Sequence, residues 1–274
     1  MQYKLFFETL TNIFPIDSAL DDDKVGLQIN LQKVSINKCL IAYELNESVV
    51  KEAINLQVDL IITFHPLIYH PLQEIDVDER VAKLTSMLIK NDISLYSLHT
   101  CFDNYKDGTN KIITDKFGLI NRSWIIPDMK YKENGFGIVG YLENELEIND
   151  FIKLCENVFL SPIRVNSISK SNFVKKIAII GGSGTSFIAQ VEKLNVDAFI
   201  TADVSYHSFH RAEGKYFLID PGHFEMEQFV AKGIYDILNK NISGVSFSLS
   251  KVYTNPVRYS NPKYNDMQVK NLVN

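Results

Sequence analysis

Cysteine is scarce in this chain and poorly placed for chemistry. Its three thiols, Cys39, Cys101 and Cys155, are odd in number and far apart. Neither a disulfide framework nor a cysteine-based zinc site follows from them. Long apolar runs are missing as well, since none approaches the roughly 20 residues that a membrane-spanning helix needs. An excess of one charge is also absent. The 28 basic and 33 acidic side chains leave a net charge of −5, which gives no electrostatic case for nucleic acid or an anionic membrane surface. The first residues, Met1-Gln2-Tyr3-Lys4-Leu5-Phe6, lack the apolar stretch of a signal peptide. Phe6, Leu10, Ile13 and Phe14 instead share one face of an amphipathic helix. There is no low-complexity segment and no long linker. The expectation is a soluble cytoplasmic protein whose 46% apolar content can bury a sizeable core.

Histidine is also sparse, with six in the chain, but four of them fall in comparable places. His65 follows Leu60-Ile61-Ile62-Thr63-Phe64, and His99 follows Ile93-Ser94-Leu95-Tyr96-Ser97-Leu98. His207 comes shortly after Phe199-Ile200-Thr201-Ala202-Asp203, and His223 after Tyr216-Phe217-Leu218-Ile219-Asp220. Short β-rich apolar runs read as buried strands. The carboxyl ends of strands in an open α/β sheet are where ligands bind. Asp103, Asp203, Asp220 and Glu227 lie near these imidazoles in sequence, so the set reads as a site.

The chain also repeats itself. Shifted by 138 residues, 37–65 falls on 175–203 without a gap, and eight of 29 positions are identical, among them Lys38/Lys176, Asp59/Asp197 and Thr63/Thr201. Each copy reads strand, turn, helix, strand: 39–43, 47–57 and 58–64 in one, 177–180, 185–195 and 196–202 in the other. Such a unit implies a right-handed crossover and parallel pairing. Duplication explains the match better than convergence of two ordinary units. His65 aligns with Asp203, so both copies put a metal-competent side chain at the same strand terminus.

Both copies continue alike. The first adds a helix from Asp78, a candidate N-cap, with Val81, Leu84 and Leu88 inward, and then the strand ending at Leu98. The second adds a short helix near 205–213, a strand at 215–219 and a long helix from about 223. In that helix Met226, Phe229, Val230, Gly233, Ile234, Ile237 and Leu238 form an apolar stripe. The alternation Val245-Ser246-Phe247-Ser248-Leu249-Ser250 predicts a strand with one wet face. This gives a first α/β half over 1–121, a connector over 122–150 and a second α/β half over 151–274, whose last strand can return to the first half.

Three motifs carry candidate chemistry. In Asp220-Pro221-Gly222-His223-Phe224-Glu225-Met226-Glu227 a turn leads into a helix on which His223 and Glu227 stack four residues apart. Such a pair can chelate one divalent ion, and a carboxylate can bridge two; an acidic first turn that complements the helix dipole is the structural alternative. In Phe64-His65-Pro66 the proline keeps His65 extended at a strand exit, as a ligand or as a hydrogen-bonded core histidine. His99 and Asp103 are again four apart, and Cys101 beside His99 has no partner arrangement supporting a nucleophile. Gly181-Gly182-Ser183-Gly184 could cradle phosphate. It lacks the lysine of a P-loop, and a tight turn is the simpler reading. His207 and His210, three apart on a helix, suit a surface role as well as a catalytic one.

Together these motifs resemble the Nif-three-like family, many of whose members are labelled homologues of GTP cyclohydrolase I type 2. The resemblance rests on Asp23-Lys24-Val25-Gly26-Leu27-Gln28, Phe64-His65-Pro66-Leu67-Ile68-Tyr69, His99-Thr100-Cys101-Phe102-Asp103, Gly181-Gly182-Ser183-Gly184, Asp203-Val204-Ser205-Tyr206-His207 and Asp220-Pro221-Gly222-His223 with Glu227, in that order over about residues 3 to 260. It implies a doubled α/β fold without the inserted ferredoxin-like domain of longer members, a homohexameric ring and a two-metal centre. Carried over by position, His65 and Asp103 would hold one ion, His223 the other, and Glu227 would bridge them. His plus carboxylate suits zinc, iron or manganese, one or two ions per chain. The implied activity is a metal-dependent hydrolase acting on a nucleotide or related phosphorylated heterocycle, with His99 or His207 as general acid or base. A non-catalytic metal-binding ring and a phosphate-ligand sensor are the rivals. Phe64 stands where the family has a second histidine, Lys24 where it has Asn, and Glu44 where it has Asp. Phenylalanine cannot coordinate, so a second ion loses a ligand unless His99 or His207 substitutes.

Overall fold

The apolar runs that read as strands pair within two separate sheets. The computed structural model describes residues 1–265. The chain forms two units, residues 1–102 with 230–254 and residues 103–229 with 255–265, each with its own sheet. Among the described residues no helix is long and apolar enough to cross a membrane.

The first unit holds β1 (Gly26–Ile29), β2 (Lys38–Ala42), β3 (Leu60–Thr63), β4 (Ser94–Ser97) and β11 (Ser246–Leu249), in the order β1-β4-β3-β2-β11. All neighbours are parallel except β1, which runs antiparallel to β4. Every residue of β3 and β4 is buried, as expected for central strands covered on both faces. The helices are α1 (Tyr3–Ile13), α2 (Glu47–Leu56), α3 (Arg80–Lys90) and α10 (Val230–Asn241). Leu40, Val49, Val50, Ala53, Ile61, Leu84, Leu88 and Leu95 build one core, and each fully buried Val, Leu or Ile side chain contributes about 1.5–3 kcal/mol. α3 starts two residues later than Asp78, because Glu79 is the cap: its carboxylate accepts from Ala82 N at 2.9 Å. The expected long helix from 223 is broken between Glu227 and Val230, where the Gln228 amide turns back to donate to the Glu225 and Phe159 carbonyls.

The second unit holds β5 (Ile120–Pro127), β6 (Gly135–Glu147), β7 (Arg164–Val165), β8 (Phe173–Ile179), β9 (Ala198–Ile200) and β10 (Phe217–Asp220), in the order β5-β6-β8-β9-β10-β7. Only β8-β9-β10 is parallel. α4 (His99–Asn104) runs across the division between the units, and α5 (Thr109–Lys116), α6 (Ile148–Phe159), α7 (Ile188–Glu192), α8 (Tyr206–Ala212) and α9 (His223–Glu227) follow. Alternation along β8 sends Ile177 and Ile179 to one core, with Phe151 and Met226, and Ala178 to another, with Phe199 and Leu218. Residues 122–150 are therefore not a connector but supply most of the antiparallel pair β5–β6 of this sheet. The stretch 103–121 also belongs here, because Ile113, Phe117 and Leu119 pack into its core.

The 138-residue repeat survives in the hydrogen bonding. Cys39, Leu40 and Ile41 pair with Leu60, Ile61 and Ile62, and their counterparts Ile177, Ala178 and Ile179 pair with Ala198, Phe199 and Ile200. Asp59 Oδ2 accepts from Asn37 N and Lys38 N at 2.8 and 3.1 Å, and Asp197 Oδ2 accepts from Lys175 N and Lys176 N at 3.1 and 2.9 Å. Lys38 Nζ donates to the Leu56 carbonyl as Lys176 Nζ does to that of Leu194. The protein is a doubled α/β fold, and among the described residues no ferredoxin-like domain is inserted.

Candidate metal centre

In the second unit the candidate ligands sit where β10 ends. Asp220, the last residue of that strand, folds the turn: its Oδ1 accepts from Gly222 N and its Oδ2 from Val204 N, both at 2.9 Å, while Arg164 pairs with the same carboxylate. Gly222 has φ +96°, a conformation that excludes most side chains, and a Cβ there would strike the buried Glu225 carboxylate. This turn starts α9, which sets His223 and Glu227 one helical turn apart. His223 Nε2 lies 3.0 Å from Glu227 Oε2, and its Nδ1 hydrogen-bonds Asp203 Oδ2 at 2.6 Å. Asp203 stands just past β9, with φ +54°.

The charges follow from this geometry. Burial works against charge on the His223 ring, but the Glu227 charge and the hydrogen bonds to Asp203 and Glu227 prevail and push its pKa up to about 11. The hydrogen bond from His223 holds the Asp203 carboxyl below its usual range, against the opposing effect of burial. A cation at Nε2 therefore competes with a proton held between two carboxylates. The donor set suits a divalent ion. A carboxylate on the distal ring nitrogen is the common partner of a metal-bound histidine, fixing its tautomer and raising its basicity. Ligand atoms about 2 Å from one tetrahedral ion lie roughly 3.3 Å apart, close to the separation seen here.

The glycine-rich loop after β8 serves this pair. Gly182 has φ +62°, and a Cβ on it would collide with Glu227 Oε1. The loop's N–H groups are engaged within the chain: Gly181 N donates to Asn110 Oδ1 at 2.9 Å and Gly184 N to Thr201 Oγ1 at 2.7 Å. The tight-turn reading holds, with a close approach to Glu227 as its reason.

The first unit carries His65 at the corresponding strand end. Its N–H donates to the Tyr43 carbonyl at 3.1 Å, continuing the β2–β3 pairing past Phe64. The half-buried ring packs against Tyr43 and His99, at centroid distances of 4.7 and 5.4 Å. Glu44 is 4.0 Å from its Nδ1, too far for a hydrogen bond, and is bonded by Arg80 at 2.9 Å. His99 has its own orienting carboxylate: Nδ1 hydrogen-bonds Asp23 Oδ1 at 2.7 Å, and Asp23 Oδ2 accepts from both Thr100 N and Thr100 Oγ1. Gln28 clamps the loop after His65 by accepting from Leu67 N and Ile68 N at 2.8 and 3.0 Å.

The family model described as Duf34/NIF3 (NGG1p interacting factor 3) matches residues 1–256. The chain belongs to this family. A Clostridium perfringens relative named GTP cyclohydrolase 1 type 2 homolog is 32% identical over 258 residues, 91% of this chain and 96% of its own length. A Methanocaldococcus jannaschii relative of the same name is 31% identical over 252 residues, 88% of this chain and 96% of its own. Among solved structures, a Bacillus cereus protein related to NIF3 superposes with a TM-score of 0.86 at 22% identity, covering 93% of this chain and 98% of that one. Reduced HcgD from M. jannaschii superposes with a TM-score of 0.74 at 28% identity, covering 91% and 97%.

Within the second unit the fold of this NIF3 family member brings together two of the candidate ligands, His223 and Glu227. Asp103, on α4, is buried, and its backbone carbonyl accepts from Asn110 Nδ2 at 2.9 Å. Within the first unit His65 and His99 are ring neighbours. His207 is exposed on α8, its ring against Tyr206. Cys101 is buried with its thiol directed at the Leu98 carbonyl. Phe64 is fully buried, stacked on Tyr43 and edge-on to His99 and Phe102, so the position where the family carries a histidine is here part of an aromatic core. The orienting residues Asp23 and Asp203, the clamp Gln28 and the buried Asn110 had no assigned role in the sequence. Asp23, Gln28 and Asp203 did stand in motifs of the family resemblance, and Asp203 also aligned with His65, whereas Asn110 left no signal.

Proposed function

We propose that this chain is a metal-dependent hydrolase acting on a nucleotide or related phosphorylated heterocycle, in which His223 and Glu227 are ligands of a divalent cation and, on the family resemblance, His65 and Asp103 complete the ligand set. One observation carries the reading: His223 offers Nε2 to the buried Glu227 carboxylate while Asp203 takes its Nδ1. The relatives named GTP cyclohydrolase 1 type 2 homolog supply the substrate class. Zinc, iron and manganese all suit imidazole with carboxylate. A cation held there would supply Lewis acidity and water activation near neutral pH.

The chain's own residues do the rest. Asp203 holds the Nδ1 proton, so displacement of the Nε2 proton would leave a lone pair beside Glu227. Glu227, with a side chain only 3% exposed, is a desolvated carboxylate whose charge is screened little by solvent. His99, oriented by Asp23, is the group to move a proton at its Nε2, and His207 is the exposed alternative. Phe64 has no donor atom, so a second ion would lack one ligand. That buried ring favours a second reading, a non-catalytic metal-binding ring. On the family resemblance we extend both readings to a cytoplasmic homohexamer, which light scattering tests by mass.

The deciding experiment screens metal-loaded protein against GTP and a nucleotide panel beside Glu227→Ala. Turnover lost in that variant supports the enzyme. Stoichiometric metal without turnover supports the non-catalytic ring. Protein that takes up no stoichiometric metal overturns both.

A further inference from the structure

We infer that Asn110, with Gly181 and Gly182, forms a positioning bridge that sets the spacing of Asp103 and Glu227; the inference rests on the metal-binding reading above. Asn110 is fully buried on α5, and both ends of its amide are used. Nδ2 donates to the Asp103 backbone carbonyl at 2.9 Å, and Oδ1 accepts from Gly181 N at 2.9 Å. The residue after Gly181 is Gly182, where a Cβ would collide with Glu227 Oε1 and come within 3.8 Å of His223 Cε1. On its other side Gly181 has no room either, since a Cβ there would strike Thr109 Cγ2, next to Asn110. A continuous line of contact therefore runs from the Asp103 backbone through the Asn110 amide and the two glycines to the Glu227 carboxylate.

Each link in this line is specific in direction or in size. An amide is the side-chain group that donates at one end and accepts at the other in this geometry. A buried amide carries little rotational freedom once both ends are bonded, so a shift of the glycine loop is transmitted to α4, and the reverse. Asn110 touches neither an ion nor a substrate in this scheme; it acts through Asp103 and Glu227. Metal affinity characteristically falls about 10–100-fold when such supporting groups are lost.

Two substitutions separate the parts. Asn110→Asp keeps an acceptor for Gly181 N but places a carboxylate oxygen against the Asp103 carbonyl. Asn110→Leu has similar volume and removes both bonds. The full-length protein and both variants are titrated with Co(II), reading affinity by chelator competition and coordination by the visible absorption bands. A drop of roughly 10–100-fold in affinity with altered bands, at an unchanged far-UV circular dichroism spectrum, is the expected result. A lower melting temperature of the metal-free protein with wild-type affinity and bands would mean a purely structural role and overturn the inference. If the Leu variant does not fold, the Asp variant decides. His223→Ala and Glu227→Ala are run alongside. Wild-type metal binding in those two overturns the parent reading, whereas loss there with no change at Asn110 overturns the bridge alone.

Discussion

Gly182 and Glu227 compete for the same space: the glycine's missing side chain is what lets the carboxylate stand beside His223. Gly182 is also left-handed, at φ +62°. Gly182→Ala meets two penalties, a backbone cost of about 1–2 kcal/mol for an L-residue in that region and the displacement of Glu227. Urea unfolding of the metal-free protein should show a loss of about 1–3 kcal/mol, and Co(II) affinity should fall with it. Full stability together with full affinity would mean that Glu227 moves aside freely and is not held for coordination.

The repeat makes a matched pair of predictions. Asp59 and Asp197 each use one carboxylate oxygen to accept two backbone N–H groups, and their side chains are equally covered, at 22% and 24% exposure. Asp59→Ala and Asp197→Ala should each cost about 1–3 kcal/mol, by stranding a partly covered donor pair. The two losses, read from urea midpoints at constant slope, should agree to within a factor of two. A large loss at one position and none at the other would show that the shared geometry carries no shared energetic role.

Why some of this was legible in the chain and some was not has a physical basis. Buried parallel strands must be apolar on both faces, so β3, β4, β9 and β10 stand out as short runs, and the ungapped 138-residue shift carries the strand register with it. His223 and Glu227 were legible because helical spacing alone puts them together. The hairpin 122–150 was not, because β5 has no buried residue and the buried stretch of β6 is interrupted by Gly137 and Gly140, patterns shared with loops. At the break between α9 and α10 the Gln228 side chain bonds the distant Phe159 carbonyl as well as that of Glu225, and the first of these is encoded by no local pattern. Asp23 bonds His99 across 76 residues, and Asn110 bonds Gly181 across 71. Contacts of that range follow from tertiary packing and leave no periodic trace.

Asp23 gives the protein a defined acid response. Burial raises its pKa, but hydrogen bonds from His99 and Thr100 and the charge on His99 outweigh this and bring it from 3.8 down to about 2. The side chain is only 4% exposed, so the effect is little screened. A carboxyl whose folded pKa is depressed stabilises the fold above its unfolded pKa, and the contribution fades as pH falls through the folded one. Asp23 should therefore supply roughly 2.5 kcal/mol above pH 4, lost progressively between about pH 4 and pH 2. In Asp23→Asn that portion of the acid dependence should vanish from a series of urea melts. An unaltered slope across this window would show that the carboxylate gains nothing from His99 and Thr100.

His65 and His207 make opposite predictions about metal. His65 is half-buried, its backbone is fixed by the Tyr43 carbonyl and its ring is fixed by Tyr43 and His99, so the imidazole is held in one orientation before any ligand arrives. His207 is exposed on α8 and touches only another surface ring among its described ring contacts. A nitrogen already held in place gives up less side-chain freedom on binding than a mobile one. His65→Ala should therefore lower bound metal by about one ion per chain, read by elemental analysis of protein purified without added metal. His207→Ala should leave the content as it is. Retention of metal in the His65 variant would remove that residue from the ligand set and restrict the centre to His223, Glu227 and their neighbours in the second unit. Loss in the His207 variant would make the exposed helix α8 part of the centre.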